Sequence, residues 1–571
     1  MQFLHEEHFG SSMFRQLFEN ALHEMWDGFH ELGARYPRLA PLLTRHAHED
    51  ISALVQSTAF ALATLDERRQ DGDQRLLRPL MARALPECLR PRPASTILEL
   101  PSAMTHAVNA QGTAFWARLP ALPPMPFRAM GAVTPAPYEV RDARMHRIHA
   151  TSQVLHIELG GVSGAALGSV LPEKVRFFLH LEPSVALDVL HALRIARDGI
   201  EVETFGADEE RLAYGHLPRD AFAWVRVDTD EPPLVSAPAD RFRSGTLLRD
   251  LGAFVEGYFF FEIALGAFRS EAIERIVLNL PLAQVVEGAS TLSRHHVRLF
   301  CVPATNEYET TLEPLRAADG PEWSLAAVDR PHAEILHVRS IWTNARQGPV
   351  PLVSWESPDR PHTLEAGLVY YMLEQSASRE LSRTETRMSL ATRERLRAPP
   401  PGPLGGDVLA SDGLLTQALG LGDVDGRNIT RISPSRRAPL GDESMRLNAF
   451  ARMSPRRLAE PVHLEAFLHL HAAPPPEESA VQVPAFRRMA HRNERRRLPG
   501  GGWQSGDAFE LLIDTGKCRD SEAWLVCTLL SRALGERSDV LRFSRLTVLR
   551  GRETFAVCGA RNGERYPFPL G

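Results

Sequence analysis

The chain has 571 residues, which is too many for a single hydrophobic core, and its composition of 44% hydrophobic and 24% charged residues is ordinary for a folded protein. Its net charge of -6 gives no overall basic field and so disfavours a nucleic-acid-binding protein. The most apolar window, Ala253 to Phe268, is interrupted by Glu256 and Glu262, which excludes a bilayer-spanning helix there.

The amino-terminal residues include Glu6 and Glu7, where a secretion signal needs basic residues followed by an apolar run. The 5 cysteines are scattered along the chain and odd in number, a pattern typical of free thiols in a reducing compartment. We therefore predict a cytoplasmic protein that does not insert directly into the membrane.

The first predicted elements along the chain are helices. The segment from His48 to Arg69 has apolar residues at the three-and-four spacing of one buried stripe, and a second helix is predicted from Gln74 to Leu85. A group of prolines then stops the helical pattern, because proline lacks an amide proton and disfavours helical geometry in the residue before it. These prolines are Pro86, Pro91 and Pro93.

Short apolar runs separated by proline and glycine dominate the middle of the chain, and their length and alternation favour strands. One helix, Pro183 to Ala196, is predicted among them. The predicted strands of this β-rich region are Thr96 to Leu100, Thr113 to Leu119, Val154 to Leu159, Val175 to Leu181, Ala223 to Val227, Ile276 to Leu280, Val297 to Val302 and Ile335 to Ile341.

A cluster of prolines and glycines, Ala398 to Gly406, predicts a linker or exposed loop. Helical and extended patterns alternate beyond it. The predicted helices are Leu409 to Leu421, His463 to His471 and Ala523 to Leu534, and the predicted strands are Ala508 to Ile513, Val540 to Leu549 and Phe555 to Cys558.

Together these elements predict an α+β, multi-domain chain. Its expected parts are an N-terminal helical region (1–95), a β-rich middle region (96–345), a connecting segment with a Pro/Gly-rich loop (346–410) and a mixed α+β C-terminal domain (411–571).

No motif for catalysis is present. The 22 histidines are accompanied by neither a paired-cysteine motif nor an HExxH helix. The run GGVSGAALG (160–168) lacks the lysine of a phosphate loop, and GDVDGRN (422–428) lacks the distal glutamate of a calcium loop. We predict a non-enzyme with no catalytic residues, cofactor or metal. The alternative is a metal-dependent hydrolase that uses His463, Glu465, His469 and His471.

Two further clusters leave a choice between packing and binding. The aromatic cluster from Phe254 to Phe261 is more typical of a core than of an exposed binding patch. The arginine run from Arg487 to Arg497 is more typical of a solvated face, with an acidic partner or a nucleic acid as the alternative.

Several motifs in the first part of the chain recur in one known family. They are FHELGARYPRLAPLL (29–43), LVQSTAFA (54–61) and LPECLRPRPASTI (85–97). In this order they resemble motifs of the TssF family, also called ImpG or VasA, of type VI secretion baseplate proteins. The matching residues that we select are Glu31, Leu32, Gly33, Pro37, Phe60, Pro86, Leu89, Arg90, Pro91 and Pro93.

Further along, LRDLGAFVEGYFFFEI (248–263) and LFCVPATNEY (299–308) resemble two more motifs of the same family. In the second of them Phe300 stands where the family has asparagine. The matching residues are Cys301, Val302, Pro303 and Asn306. The carboxyl-terminal third resembles the family mainly in layout, as in a diverged member.

The resemblance implies a non-enzymatic component of the baseplate wedge, located in the cytoplasm beneath the inner-membrane complex. The expected partners are a TssG-like subunit with a second copy of this chain, and TssK-, TssE- and VgrG-like baseplate proteins around which tail tube and sheath assembly starts. The family-motif residues would then serve structure and assembly. A wedge protein of another contractile, phage-tail-like particle is the alternative.

Overall fold

A computed structural model describes residues 12–38, 53, 55–64, 91–102, 112–120, 122–162, 165–231, 234, 243–268, 270–316, 322–345, 348–355, 368–377, 384–392, 402–434, 464, 468, 481–498, 500–516, 518–538 and 541–563. The chain divides into two compact units. The first comprises Met1–Pro86 and Pro439–Ala451, and the second comprises Glu87–Ala438 and Arg452–Gly571. The division into four parts made from the sequence stays a prediction.

The first unit contains helix α1 (Ser12–Arg35) and a helical segment at 55–64. Val55, Ala59 and Ala63 of that segment are buried. Their spacing of four places them on one helical face, as the apolar pattern between His48 and Arg69 predicts. The second predicted helix, Gln74 to Leu85, lies outside the described residues.

The second unit holds the remaining described elements. Its helices are α2 (Leu167–Val170), α3 (Pro183–Ile195), α4 (Arg243–Ala253) and α5 (Asp520–Arg537). Its strands are β1 (Ser95–Glu99), β2 (Ala114–Ala117), β3 (Met125–Ala129), β4 (Tyr138–His149), β5 (Ser152–Gly161), β6 (Lys174–Leu179), β7 (Ile200–Phe205), β8 (Arg211–Leu217), β9 (Phe222–Trp224), β10 (Phe260–Ala264), β11 (Arg275–Leu282), β12 (Val297–Arg298), β13 (Cys301–Thr305), β14 (Tyr308–Thr311), β15 (Glu322–Ser324), β16 (Glu334–Ala345), β17 (Gly348–Ser354), β18 (Tyr370–Ala377), β19 (Thr384–Ala391), β20 (Leu404–Ser411), β21 (Ala485–Arg497), β22 (Trp503–Asp514), β23 (Phe543–Arg550) and β24 (Glu553–Asn562).

These strands form several sheets, and the α+β multi-domain fold class predicted from the sequence is confirmed. The described sheets have the strand orders β1-β13-β3-β2, β12-β6-β10-β9, β4-β5-β11-β7-β8, β14-β20-β16-β17-β18-β19-β15 and β21-β22-β23-β24. Most neighbouring strands are antiparallel, whereas β17 is parallel to β18 and β22 is parallel to β23. A parallel pair needs a crossover connection, and α5 provides it between β22 and β23 while packing against β23 and β24.

Helices α3 and α5 contribute to the largest core. Helix α3 begins where Glu182 accepts hydrogen bonds from the backbone N–H groups of Ser184 and Val185, and Pro183 occupies its first turn. The Trp524 ring on α5 stacks on Trp224 with ring centroids 5.6 Å apart. The cluster from Phe254 to Phe261 is also buried in this core, as predicted.

His191 on α3 should make the stability of this core depend on pH. Burial lowers the pKa of His191 to about 4, against an ordinary value of 6.5. The folded state therefore keeps the ring neutral while the unfolded state protonates it, so stability is present above about pH 6.5 and is lost toward about pH 4. We expect a slope of up to about 1.4 kcal/mol per pH unit in this window.

Urea unfolding at several pH values, followed by tryptophan fluorescence, measures this slope. The variant His191→Gln should flatten it, and the exposed-site variant His149→Gln should leave it unchanged. An unaltered slope in His191→Gln would show that other groups cause the dependence.

Within the glycine run at 160–168, Gly160 and Gly161 end β5, and Leu167 and Gly168 begin the short helix α2. At Gly168 the backbone N–H donates to the Ile273 carbonyl at 2.8 Å, and a Cβ atom there would overlap the Ser270 carbonyl oxygen. We expect Gly168→Ala to destabilise the protein by about 1–3 kcal/mol, because backbone must move to admit the methyl group.

Thermal unfolding of the variant tests the role of Gly168. Gly559→Ala is the matched control, since a Cβ atom there meets nothing within 4 Å. Equal melting temperatures for the two variants would contradict the expectation.

Three sequence predictions need correction. The predicted strand Val297 to Val302 is two strands, β12 and β13, in different sheets, because Phe300 between them has a φ angle of 53°. The predicted helix Leu409 to Leu421 is the end of β20 followed by a 3-10 turn, Gly413–Ala418. The last residues of the predicted linker Ala398 to Gly406 begin β20, in the seven-stranded sheet.

Candidate functional site

Two family motifs that are far apart in the sequence pair as neighbouring strands. Strand β1, at the end of LPECLRPRPASTI, is antiparallel to β13, which contains Cys301, Val302 and Pro303. Ile97 lies opposite Pro303, and Leu98 lies opposite Val302. We call the four-stranded sheet β1-β13-β3-β2 the motif sheet. The sequence predicted the two motifs separately, and the structure brings them together.

Side chains of β13 and the prolines just before β1 are buried. Pro91, Pro93 and Val302 are buried, and Cys301 is only 3% exposed. Burial raises the pKa of the Cys301 thiol well above its ordinary value, so this sulfur stays protonated and is a poor nucleophile or metal ligand. Cys301 therefore contributes packing rather than chemistry.

Phe300 precedes Cys301 and adopts the left-handed backbone conformation, at φ 53°. A bulky residue adopts that conformation less readily than asparagine does. The Phe300 ring is packed edge-to-face on Tyr138, with ring centroids 5.0 Å apart. This contact compensates part of the backbone strain.

Arg92, between Pro91 and Pro93 of LPECLRPRPASTI, forms a buried ion pair that the sequence did not predict. Its Nη1 atom lies 3.1 Å from Oδ1 of Asp250 on α4, and it donates a hydrogen bond of 2.7 Å to the Arg249 carbonyl. Asp250 also lies 3.5 Å from Nη1 of Arg226 and accepts the backbone N–H of Leu234 at 2.7 Å. This ion pair joins LPECLRPRPASTI to LRDLGAFVEGYFFFEI, another of the family motifs.

Asn306 forms a second set of buried contacts between segments that are distant in the sequence. Its Nδ2 donates to the Pro126 carbonyl and to Oδ2 of Asp412, both at 2.9 Å. Its Oδ1 accepts the Ser411 hydroxyl at 2.8 Å and the backbone N–H of Asp412 at 2.7 Å. All four hydrogen-bonding positions of this amide are used, so Asn306 fixes the end of the motif sheet against β20.

Asp412 is the centre of the polar cluster that surrounds Asn306. Its Oδ1 accepts hydrogen bonds from Arg330 Nη1 at 2.8 Å and from the Tyr308 hydroxyl at 3.1 Å, and it lies 3.3 Å from His332 Nε2. The Arg330 guanidinium also lies over the Tyr308 ring, 4.7 Å from its centroid. Asp412 directly follows β20, and its neighbours in the sequence carry no information about its partners.

The other selected residues lie in the first unit or outside the described residues. Glu31, Leu32 and Gly33 lie in α1 and Pro37 just after it, in the first unit, where Leu32 is 40% exposed and Pro37 is exposed. Phe60 is half-buried in the helical segment 55–64. Pro86, Leu89 and Arg90 lie outside the described residues. Their roles in structure or assembly stay predictions.

The GDVDGRN segment is a hydrogen-bonded turn beside the motif sheet. Asp423 accepts the backbone N–H of Gly420 at 2.6 Å, and Asn428 accepts that of Val424 at 3.0 Å. Asp425 accepts the N–H of Trp116, on β2, at 2.9 Å. Asp423 and Asn428 therefore hold the turn, and Asp425 joins it to β2.

Within the described ranges, no three His, Cys, Asp or Glu side chains are grouped so that they could hold a metal ion. The residues of the alternative hydrolase site, His463, Glu465, His469 and His471, lie outside those ranges. Among the helices that the structure describes, none is long and apolar enough to cross a bilayer.

Family motifs of the second unit meet in buried contacts between distant segments, the kind of contact that holds a structural fold together. A family model described as "Type VI secretion system, TssF" matches residues 11–565. The chain belongs to the TssF family of the type VI secretion system, which confirms the resemblance of its motifs.

Solved structures share the fold. A chain of the structure titled "type VI secretion system TssK-TssF-TssG baseplate subcomplex" has a TM-score of 0.67 and 17% sequence identity, and the match covers 90% of this chain and 100% of that one. A chain of "The baseplate complex from the type VI secretion system" has a TM-score of 0.53 and 14% identity, covering 95% of this chain and 100% of that one. No curated protein matches.

Proposed function

We propose that the chain is a non-enzymatic structural subunit of the type VI secretion baseplate wedge. The observation that carries the proposal is the family match over residues 11–565. The similarity of the fold to a full chain from a TssK-TssF-TssG subcomplex supports it. The partners are a TssG-family subunit, a second copy of this chain and a TssK-family subunit, followed by TssE- and VgrG-like proteins, on the cytoplasmic side of the membrane complex.

The buried ties of the second unit suit this role. A subunit that positions several partners must keep its sheets in fixed relative orientation. Buried ion pairs, and buried amides whose hydrogen-bonding positions are all used, favour one arrangement of the sheets over alternatives. Arg92 with Asp250, and Asn306 with Asp412, join segments that are distant in the sequence. They would make this part of the wedge rigid before any partner binds.

Co-expression tests the proposal. The tagged full chain is produced with the TssG-family and TssK-family proteins of the same genome and purified through its tag. Retention of both proteins through size-exclusion chromatography supports the proposal. Elution of the chain without either protein would contradict it, and it would favour a wedge of another contractile particle.

A further inference from the structure

The hairpin of β21 and β22 extends beyond the rest of its sheet. The two strands pair from Ala485 opposite Asp514 to Arg497 opposite Trp503. Strand β23 pairs with β22 only from Gly506 onward. The pairs formed by residues 495–497 with 503–505 therefore lie past the edge of the neighbouring strand, and the end of the hairpin projects from the sheet.

One face of this end combines an exposed indole with two cations. Arg497 lies opposite Trp503, and Arg495 is two residues before Arg497, so the three side chains share a face. Trp503 is 70% exposed, the adjacent Leu498 is 39% exposed, and both arginines are exposed. We call Arg495, Arg497, Leu498 and Trp503 the hairpin tip.

The charges of the hairpin tip are not neutralised within the described ranges, where neither Arg495 nor Arg497 forms an ion pair. Their neighbours differ in this respect. Arg492 lies 3.6 Å from Glu510, and Glu494 lies 2.7 Å from Arg545. The acidic side chain nearest the tip in sequence is therefore already paired, and the tip keeps its positive charge.

The opposite face holds the hairpin tip in place. The Arg496 guanidinium lies over the Phe543 ring, 4.6 Å from its centroid, and its Nε donates to Gln504 at 2.8 Å. The same guanidinium also hydrogen-bonds to Asn562 on β24. A surface ordered in this way loses little conformational freedom when a partner binds.

We propose that the hairpin tip docks into an acidic surface of another protein subunit, one with an apolar recess for the Trp503 ring. Tryptophan and arginine are the residues that most often dominate binding energy, and unpaired guanidinium groups match carboxylates by charge and by hydrogen-bond geometry. The identity of the partner as another baseplate subunit rests on the proposed function.

Two other occupants fit the tip less well. A twofold contact between copies of this chain would bring its own cations together, because such a contact uses the same patch on both copies. A nucleic acid needs an extended basic surface, whereas the tip offers two unpaired arginines on a chain of net charge -6.

The test uses the co-expressed complex of the full chain with its TssG-family and TssK-family proteins. The variants are Arg495→Glu with Arg497→Glu, and Trp503→Ala. The control, Arg488→Glu with Arg552→Glu, makes the same change in charge at two other exposed arginines. Retention of each protein on the tagged chain is measured from about 50 to about 500 mM NaCl.

We expect each tip variant to lower the retention of one subunit by about tenfold or more at about 150 mM NaCl, with the control within about twofold of the wild type. Unchanged melting temperatures establish that the variants fold. Equal retention by tip variants, control and wild type would overturn the proposal while leaving the proposed function intact.

Other outcomes also overturn the docking proposal. If the wild-type chain retains neither protein, the proposed function fails as well. If the loss disappears after nuclease treatment of the complex, the tip binds nucleic acid. If only the self-association of the isolated chain changes in light scattering, the tip binds a second copy.

Discussion

Replacing Asp412 with alanine is expected to lower the local stability of the seven-stranded sheet and motif sheet by about 3–5 kcal/mol. Asp412 is fully buried, and the change removes the carboxylate that accepts hydrogen bonds from Arg330, Tyr308 and Asn306. Each of these donors then lies in a site shaped for a partner that is absent, and losing a buried hydrogen-bond partner costs more than the bond itself contributes.

Hydrogen exchange followed by mass spectrometry measures this effect strand by strand. The peptides that cover β14 and β20 should lose protection in Asp412→Ala and lose less in Asp412→Asn, which keeps one carbonyl acceptor. Asp407→Ala, at an exposed aspartate on β20 five residues before Asp412, is the matched control and should change stability by less than about 0.5 kcal/mol. Equal exchange in Asp412→Ala and Asp407→Ala would show that the cluster does not stabilise the sheet.

Replacing Asp250 with alanine is expected to have an effect of similar size, about 3–5 kcal/mol, at a different place in the second unit. The carboxylate of Asp250 contacts two guanidinium groups, those of Arg92 and Arg226, which are only 2% and 3% exposed. Without it, two buried positive charges lose a shared counter-charge, and the backbone N–H of Leu234 loses its acceptor.

The readout is hydrogen exchange in β1 and α4, because Arg92 lies just before β1 and Asp250 lies in α4. Asp250→Asn should recover part of the stability, since its amide oxygen still accepts from Leu234. Asp198→Ala, at an exposed position, serves as the control. If Asp250→Ala left the hydrogen-exchange protection of β1 at its wild-type level, the ion pair of Arg92 would not be what holds LPECLRPRPASTI in place.

Local sequence signals predicted much of the fold. Pro183 and the apolar spacing after it predicted α3 closely, and the apolar run in Ala523 to Leu534 lies within α5. These elements are determined by neighbours in the sequence, through capping, periodicity and helix-breaking residues. The motifs also predicted the correct family without any tertiary information.

The sequence interpretation was wrong at positions where tertiary packing, rather than local sequence, determines the structure. Gly405 and Gly406 look like loop residues, but a Cβ atom at Gly405 would lie 2.9 Å from the indole nitrogen of Trp342 on the neighbouring strand. Glycine is there because another side chain occupies the space. The break at Phe300 is similar, since its positive φ is set by the crossing from one sheet to another.

The buried contacts of Arg92 with Asp250 and of Asn306 with Asp412 could not be predicted, for a related reason. Arg92 is flanked by prolines and Asp412 follows an apolar strand, but their partners are distant in the chain. The pairing of β14 with β20 brings Asn306 to Asp412, and tertiary packing brings Arg92 to Asp250 on α4. A pairing over such a separation leaves no periodic pattern. For the same reason the sequence identified Cys301 and Asn306 as family residues without distinguishing packing from hydrogen bonding.

Native mass spectrometry of the co-expressed proteins tests the central claim most directly, because it reports both the partner and the stoichiometry. The account predicts a stable complex that contains two copies of this chain and one TssG-family subunit, with TssK-family subunits bound. A spectrum that shows only the isolated chain, under conditions in which the other two proteins associate with each other, would contradict it.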